Sequence, residues 1–272
     1  MNTKSFLLLT VLLFSGWAAS AQSVFKNDDL EITKLADKLW VIETTDKTTM
    51  YIVEGDKKAM LIDTGTKCEK LNEVVRKITQ KPLIVVITHM HGDHAGNMDQ
   101  FGEVYFNAAD TVLLKQVKPY PGKIHFLTDG QVIDLGGKKL EICHMPAHTP
   151  GSIVVLDRKE GNCFSGDAFG SGQVWLQLKP YATMKTYVSS LKKMEKLMDN
   201  GITKIYCGHY PYVKKPYDKS YIVAMRELAE SLDNDTPKDA KPFDRKVSIG
   251  CDHPMIATNG QAAIVYDPDH IK

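Results

Sequence analysis

Apolar and polar positions along this chain switch repeatedly between a period of two and a period near 3.6. Leu30–Glu43 reads as strand and turn, with Trp40, Val41 and Ile42 inside it. Met50–Glu54 and Lys58–Ile62 read as a hairpin closing around Gly55-Asp56. Over Glu69–Thr79, Leu71, Val74, Val75 and Ile78 fall at helical spacing. Pro82–Thr88 holds a continuous apolar run, the pattern of a strand buried on both faces. The theme repeats downstream. Strands are expected near Lys139–Cys143, Ile153–Leu156 and Asn162–Ser165, then a helix over Met184–Met198. That helix carries Tyr187, Leu191, Met194 and Leu197 on one face, which is core-facing amphipathicity. A second helix is expected over Ser220–Leu232, a polar loop over Asn234–Pro242 and a strand over Ala262–Tyr266. Strands alternating with helices place the chain in the α/β class.

The N-terminus changes the picture. Lys4 precedes the apolar run Phe6–Phe14, and Ala19-Ser20-Ala21 has the form of an A-x-A cleavage site. Residues 1–21 therefore read as a secretory signal peptide, and 22–272 as one domain. The run is too short for a bilayer span of ~20 residues, so no stable membrane anchor is expected. The expected destination is the bacterial periplasm or the exterior. Removing the segment takes one of 34 basic residues and none of 33 acidic ones, leaving a formal charge of zero. Such a balance gives no general attraction to nucleic acid. Five cysteines (Cys68, Cys143, Cys163, Cys207 and Cys251) form no disulfide framework, and three of them fall in expected buried strands as small apolar residues.

The chemistry concentrates after the Pro82–Thr88 strand. His89-Met90-His91-Gly92-Asp93-His94 reads H-x-H-x-D-H and sets four nitrogen and oxygen donors within six residues. On an extended strand end His89 and His91 point one way, Gly92 permits a sharp turn, and Asp93 and His94 open a helix. Further donors follow short apolar runs: His148 in His148-Thr149-Pro150-Gly151-Ser152, Asp167 in Ser165-Gly166-Asp167, and His209 in Gly208-His209. Strand ends converging on one rim are where an α/β fold builds a site.

Taken together, these motifs resemble the metallo-β-lactamase-fold superfamily over roughly residues 30–212. The resemblance implies a four-layered αββα sandwich and two Zn2+ per chain. His89, His91 and His148 would hold one zinc. Asp93, His94 and His209 would hold the second, with Asp167 bridging. Asp63, in Leu61-Ile62-Asp63-Thr64-Gly65, would orient ligands without binding metal. Zinc ions sharing a water lower its pKa to ~7, giving a hydroxide that attacks an ester-like bond without a serine or cysteine nucleophile. Asp93 would accept the proton.

An aspartate at position 167 resembles the glyoxalase II, lactonase, phosphodiesterase and RNase Z branches. Metallo-β-lactamases proper usually carry cysteine or serine there. With cysteine, a lysine stands three residues on; Gly170 occupies that place here. Gln173 stands where the glyoxalase II pattern calls for a basic residue. The expected function is hydrolysis of a lactone, thioester, ester or phosphodiester in a small molecule. The alternatives are β-lactam hydrolysis and zinc binding without catalysis. Aromatic residues after the donors, Trp175 and Tyr210 with Tyr212, are candidates for an apolar substrate pocket. Thr44–Thr49 is a candidate flap, and His125, His144 and His253 read as structural or surface histidines.

Overall fold

The computed structural model describes residues 22–237, 239–244 and 249–272. The expected signal segment, residues 1–21, lies outside the described residues. No helix among the described residues is long and apolar enough to cross a membrane.

The first sheet has eight strands in chain order: β1 (Gln22–Lys26), β2 (Leu30–Ala36), β3 (Leu39–Thr44), β4 (Thr49–Glu54), β5 (Ala59–Ile62), β6 (Leu83–Val86), β7 (Glu103–Asn107) and β8 (Lys123–Leu127). Pairing is antiparallel from β1 to β5 and parallel from β5 to β8. Helix α1 (Leu71–Ile78) forms the β5–β6 crossover, and the one-turn helix α2 (Gly92–Ala95) follows β6. The second sheet contains β9 (Val132–Asp134), β10 (Lys139–His144), β11 (Ile153–Asp157) and β12 (Asn162–Gly166). After β13 (Gln173–Trp175) and helix α3 (Met184–Asp199), β14 (Lys204–Cys207) joins this sheet parallel to β12. Helix α4 (Lys219–Asp233) then leads to β15 (Lys241–Pro242), β16 (Met255–Asn259) and β17 (Ala262–Tyr266), which combine with β13 in a third sheet.

Strand alternation builds the layers. Along β3 to β5, Ile42, Met50, Ile52 and Leu61 pack with Leu71, Val74 and Val75 of α1. Their neighbours Val41, Tyr51, Met60 and Ile62 face the other way and meet Leu140, Ile142, Ile153, Val155 and Phe164 of the second sheet. The opposite face of that sheet presents Val154, Leu156, Cys163 and Ile205 to α3 and α4. Helix, sheet, sheet and helix stack in that order, as the period-two pattern requires. Tyr187, Leu191 and Met194 of α3 are buried in this outer layer, as their spacing predicts.

The elements the pattern anticipates are present with boundaries shifted by one to a few residues. The expected strand over Ala262–Tyr266 is β17, whereas the strands β1, β7, β8, β9, β13, β15 and β16 have no counterpart in the expected layout. The expected loop over 234–242 ends in the two-residue strand β15.

Candidate metal centre

The donors gather where strands of the two facing sheets end. Past β5, Asp63 adopts a left-handed conformation (φ 64°), and its N–H donates to the Val86 carbonyl at 2.8 Å. Past β6, Thr88 donates to Asp63 twice, from N to Oδ1 at 2.7 Å and from Oγ1 to Oδ2 at 2.8 Å. Asp63 is thereby a fixed buried acceptor beside the H-x-H-x-D-H segment. From the second sheet, the β10–β11 turn delivers His148, the end of β12 delivers Asp167, and the end of β14 delivers His209.

The local route differs from the expected one at two points. β6 ends at Val86, so His89 and His91 lie in irregular backbone beyond the strand. Their rings converge all the same, with centroids 4.9 Å apart. Gly92 is the first residue of α2 and needs no positive φ; the change of direction is made at His91, whose backbone is extended (φ −76°, ψ 150°).

Among the described residues, three groups have donor atoms within 4.8 Å of one another: His89, His91 and His148; Asp93, His94 and His209; and His89, His94 and Asp167. Asp167 sits between the first two. Its Oδ2 is 3.2 Å from His209 Nε2 and 3.9 Å from His148 Nε2, and its Oδ1 is 3.6 Å from His94 Nε2. Asp93 Oδ2 lies 3.4 Å from His209 Nε2 and 3.7 Å from His94 Nε2.

The ring nitrogens facing away from the cluster are held by acceptors. His94 Nδ1 donates to Asp63 Oδ2 at 2.8 Å, His148 Nδ1 to the Trp175 carbonyl at 2.8 Å, and His209 Nδ1 to the Lys47 carbonyl at 3.0 Å. Each bond keeps a proton on the outer nitrogen and turns Nε2 inward, the orientation a metal ligand needs. His89 Nε2, His94 Nε2 and Asp167 Oδ1 are buried and have no hydrogen-bond partner. Buried polar atoms are normally satisfied, so three such atoms at the centre of two donor triads fit a bound cation.

The electrostatics agree. Burial works against a charged His209, yet Asp167 and Asp93 raise it to about 12. Burial likewise opposes a charged His94, and Asp93, Asp167 and Asp63 raise it to about 10. Burial and the neighbouring His148 push His91 down to about 3. Carboxylates thus concentrate negative potential around His94 and His209, while His91 remains a neutral donor.

All seven expected donors and Asp63 therefore meet at one place. Cys207, two residues before His209, packs with the α3–α4 layer and joins none of the donor groups. His125 pairs with Glu103 and stacks on Tyr105. His144 bonds the Pro150 carbonyl, and His253 is exposed.

Above the donors opens a cavity of about 730 Å³. His91, Asp93, His148, Asp167 and His209 reach it, and Val174, Trp175, Leu178, Tyr212 and Ile249 supply apolar wall. Trp175 is among the residues that line it. Tyr210 does not line the cavity; it packs towards Tyr206, with ring centroids 6.1 Å apart, and Tyr212 takes the place at the mouth. Asp46, in the candidate flap, also lines the cavity. Ile249 went unforeseen, because nothing in its local sequence marks it.

Gly208 is a tight point in this arrangement. A Cβ there would stand 2.4 Å from Asp167 Oδ1 and 2.5 Å from His94 Cε1. Gly208→Ala is expected to displace both donors, lowering metal uptake by about 10-fold or more, the scale seen when support around a metal site is disturbed. Equilibrium dialysis of the variant checks this, with circular dichroism to confirm the fold.

The chain matches the family model of the metallo-beta-lactamase superfamily over residues 44–209, more than half of its length. It belongs to that family. Among curated relatives, a chicken (Gallus gallus) protein named acyl-coenzyme A thioesterase MBLAC2 is 30% identical over 208 residues, covering 62% of this chain and 74% of its own. Hydroxyacylglutathione hydrolase GloC of Haemophilus influenzae is 29% identical over 180 residues, covering 59% of this chain and 84% of its own. A solved metallo-β-lactamase from Erythrobacter litoralis superposes with a TM-score of 0.59 at 19% identity, over 76% of this chain and 99% of that one. That likeness carries the fold. The family and its hydrolase relatives make this chain a hydrolase of the metallo-beta-lactamase superfamily, with a His/Asp cluster fitted to hold metal.

Proposed function

We propose that this protein is a dinuclear zinc hydrolase that cleaves acyl thioesters of small molecules. The observation that carries the metal reading is the pair of donor triads, joined by Asp167, on the floor of an open cavity. His89, His91 and His148 would hold one ion, Asp93, His94 and His209 the other, with Asp167 shared. When bound, the ions supply Lewis-acid polarisation of the scissile carbonyl and a water acidic enough to act as nucleophile near neutral pH.

The chain's own groups do the remainder. Asp63, the Trp175 carbonyl and the Lys47 carbonyl lock the imidazoles of His94, His148 and His209. Asp93 lines the cavity with its side chain 40% exposed, placed to accept a proton from the attacking water. The apolar wall offers contact for an acyl group, and about 730 Å³ accommodates a ligand of drug-like size.

Thioesters are favoured among ester-like bonds by the relatives. Besides the two described, a protein of Aspergillus fumigatus named atrochrysone carboxyl ACP thioesterase is 26% identical over 211 residues, 44% of its own length. All three names describe hydrolysis of an acyl group on a thiol-bearing carrier. Residues 1–21 support export to the periplasm or beyond as the setting. The test is a hydrolysis panel of an acyl-coenzyme A, an acylated glutathione, a lactone, a phosphodiester and a chromogenic cephalosporin. Thioester turnover above the others is the expected result; a lactone, phosphodiester or cephalosporin turned over fastest would replace the substrate assignment.

Tyr212 reports on the acyl wall. It is 65% exposed, yet lines the cavity mouth. If an acyl chain covers it, Tyr212→Ala raises KM for a long-chain thioester roughly 10-fold, the equivalent of ~1.4 kcal/mol of lost apolar contact. A short acetyl thioester changes much less. Equal effects on both chain lengths would place the acyl group elsewhere.

A further inference from the structure

One buried carboxylate lies outside the donor cluster and touches both loops that deliver the first triad. Asp110 is fully buried in the 3-10 segment Ala108–Gln116, which follows β7 and is capped by the Asn107 side chain accepting from Ala109 N. Its Oδ2 accepts from Met90 N at 2.8 Å and from Thr149 Oγ1 at 2.9 Å. Its Oδ1 accepts from Gly151 N at 2.5 Å. Met90 lies between His89 and His91, and Thr149 follows His148. Every histidine of the first triad is therefore one residue from a bond to Asp110. The second triad is held differently, through His94 to Asp63 and through His209 to the Lys47 carbonyl.

The contact is closely fitted. A Cβ on Gly151 would stand 2.6 Å from Asp110 N and 2.7 Å from its Oδ1, so the His148 loop reaches the carboxylate only with glycine there. Burying a carboxylate costs several kcal/mol unless it is well hydrogen-bonded. Here three donors from two loops compensate it, and in doing so they join the loops to each other.

We infer that Asp110 is a positioning residue: it clamps the His89–His91 segment to the His148 loop and sets the affinity of the first metal position without touching the metal. The inference rests on the metal reading of the two triads. Asp110→Asn keeps the shape but turns one acceptor oxygen into an amide that faces an N–H donor. One of the two metal-binding steps should then weaken by about 10–100-fold, as for other groups that orient metal ligands. The other step should stay within about threefold.

The test is Zn2+ titration of demetallated protein against a chromophoric chelator, with circular dichroism and melting recorded for each variant. Wild type, Asp110→Asn and Asp63→Asn are compared, since Asp63 holds His94 of the other triad. The expected result is a crossover, each variant weakening a different step. Asp110→Asn with both steps unchanged, or both weakened alike, overturns the inference. Thr149→Val, which removes only the hydroxyl bond, decides the matter if Asp110→Asn fails to fold. A smaller weakening confined to the same step supports the clamp, and an unchanged titration overturns it. Wild type taking up no zinc overturns the metal reading, and this inference with it. That failure is distinct because it appears before any substitution.

Discussion

Asp167→Ala is expected to lower kcat/KM for a thioester substrate by about 10³-fold or more, while the circular dichroism spectrum stays that of the wild type. The magnitude follows from what a metal pair contributes, several kcal/mol of transition-state stabilisation, at about 1.4 kcal/mol for each factor of ten. Asp167 reaches donors of both triads, His209 and His148 on Oδ2 and His94 on Oδ1. Alanine leaves nothing at that place to hold the two positions together. It also removes the leading charge that raises His209 and one of those that raise His94. Asp167→Asn, which keeps the shape and one oxygen, should fall between alanine and wild type. Steady-state kinetics at saturating zinc provide the check. Retention of more than about a tenth of wild-type turnover by the alanine variant would mean that Asp167 does not join a dinuclear centre.

Phe164→Ala should be the most destabilising of the substitutions considered, at about 3–5 kcal/mol. Phe164 is 1% exposed at the middle of β12, between the facing sheets. Its ring lies 5.0 Å from that of Tyr51 and 5.5 Å from that of Tyr206, so aromatic contact is lost along with apolar area. For a chain of this size the melting temperature should fall by roughly 6–20 °C. Below both transitions, turnover should remain within about tenfold of wild type, because Phe164 is not among the residues lining the cavity above the donors. A scanning calorimetry shift under about 3 °C would mean that the inter-sheet layer is less tightly packed than its burial implies.

These two residues also mark what the sequence discloses well. Asp167 is legible because the donors occur in short motifs at strand ends, where identity and spacing alone carry the chemistry. The layers around Phe164 follow from continuous apolar runs in strands such as Ile153–Asp157 and Ala59–Ile62, the mark of strands buried on both faces. Local pattern conveys less where long-range contact decides. Edge and small-sheet strands such as Lys123–Leu127 and Gln173–Trp175 are short and mixed in polarity, so neither period stands out. Tyr210 and Tyr212 would share a face on a strand. They fall instead in a 3-10 turn of about three residues, which sends one towards Tyr206 and the other to the cavity mouth. Asp110 and Ile249 belong to no motif. Asp110 acquires its place by meeting backbone 20 and 41 residues away in sequence.

As proposed above, two zinc ions held by His89, His91, Asp93, His94, His148, Asp167 and His209 would drive hydrolysis. That role is tested most directly by stripping the protein of metal and following acyl-coenzyme A hydrolysis as Zn2+ is added back. Negligible turnover is expected at the start, with recovery that saturates at two equivalents per chain. Full turnover by the stripped protein, unchanged by added zinc, would contradict it.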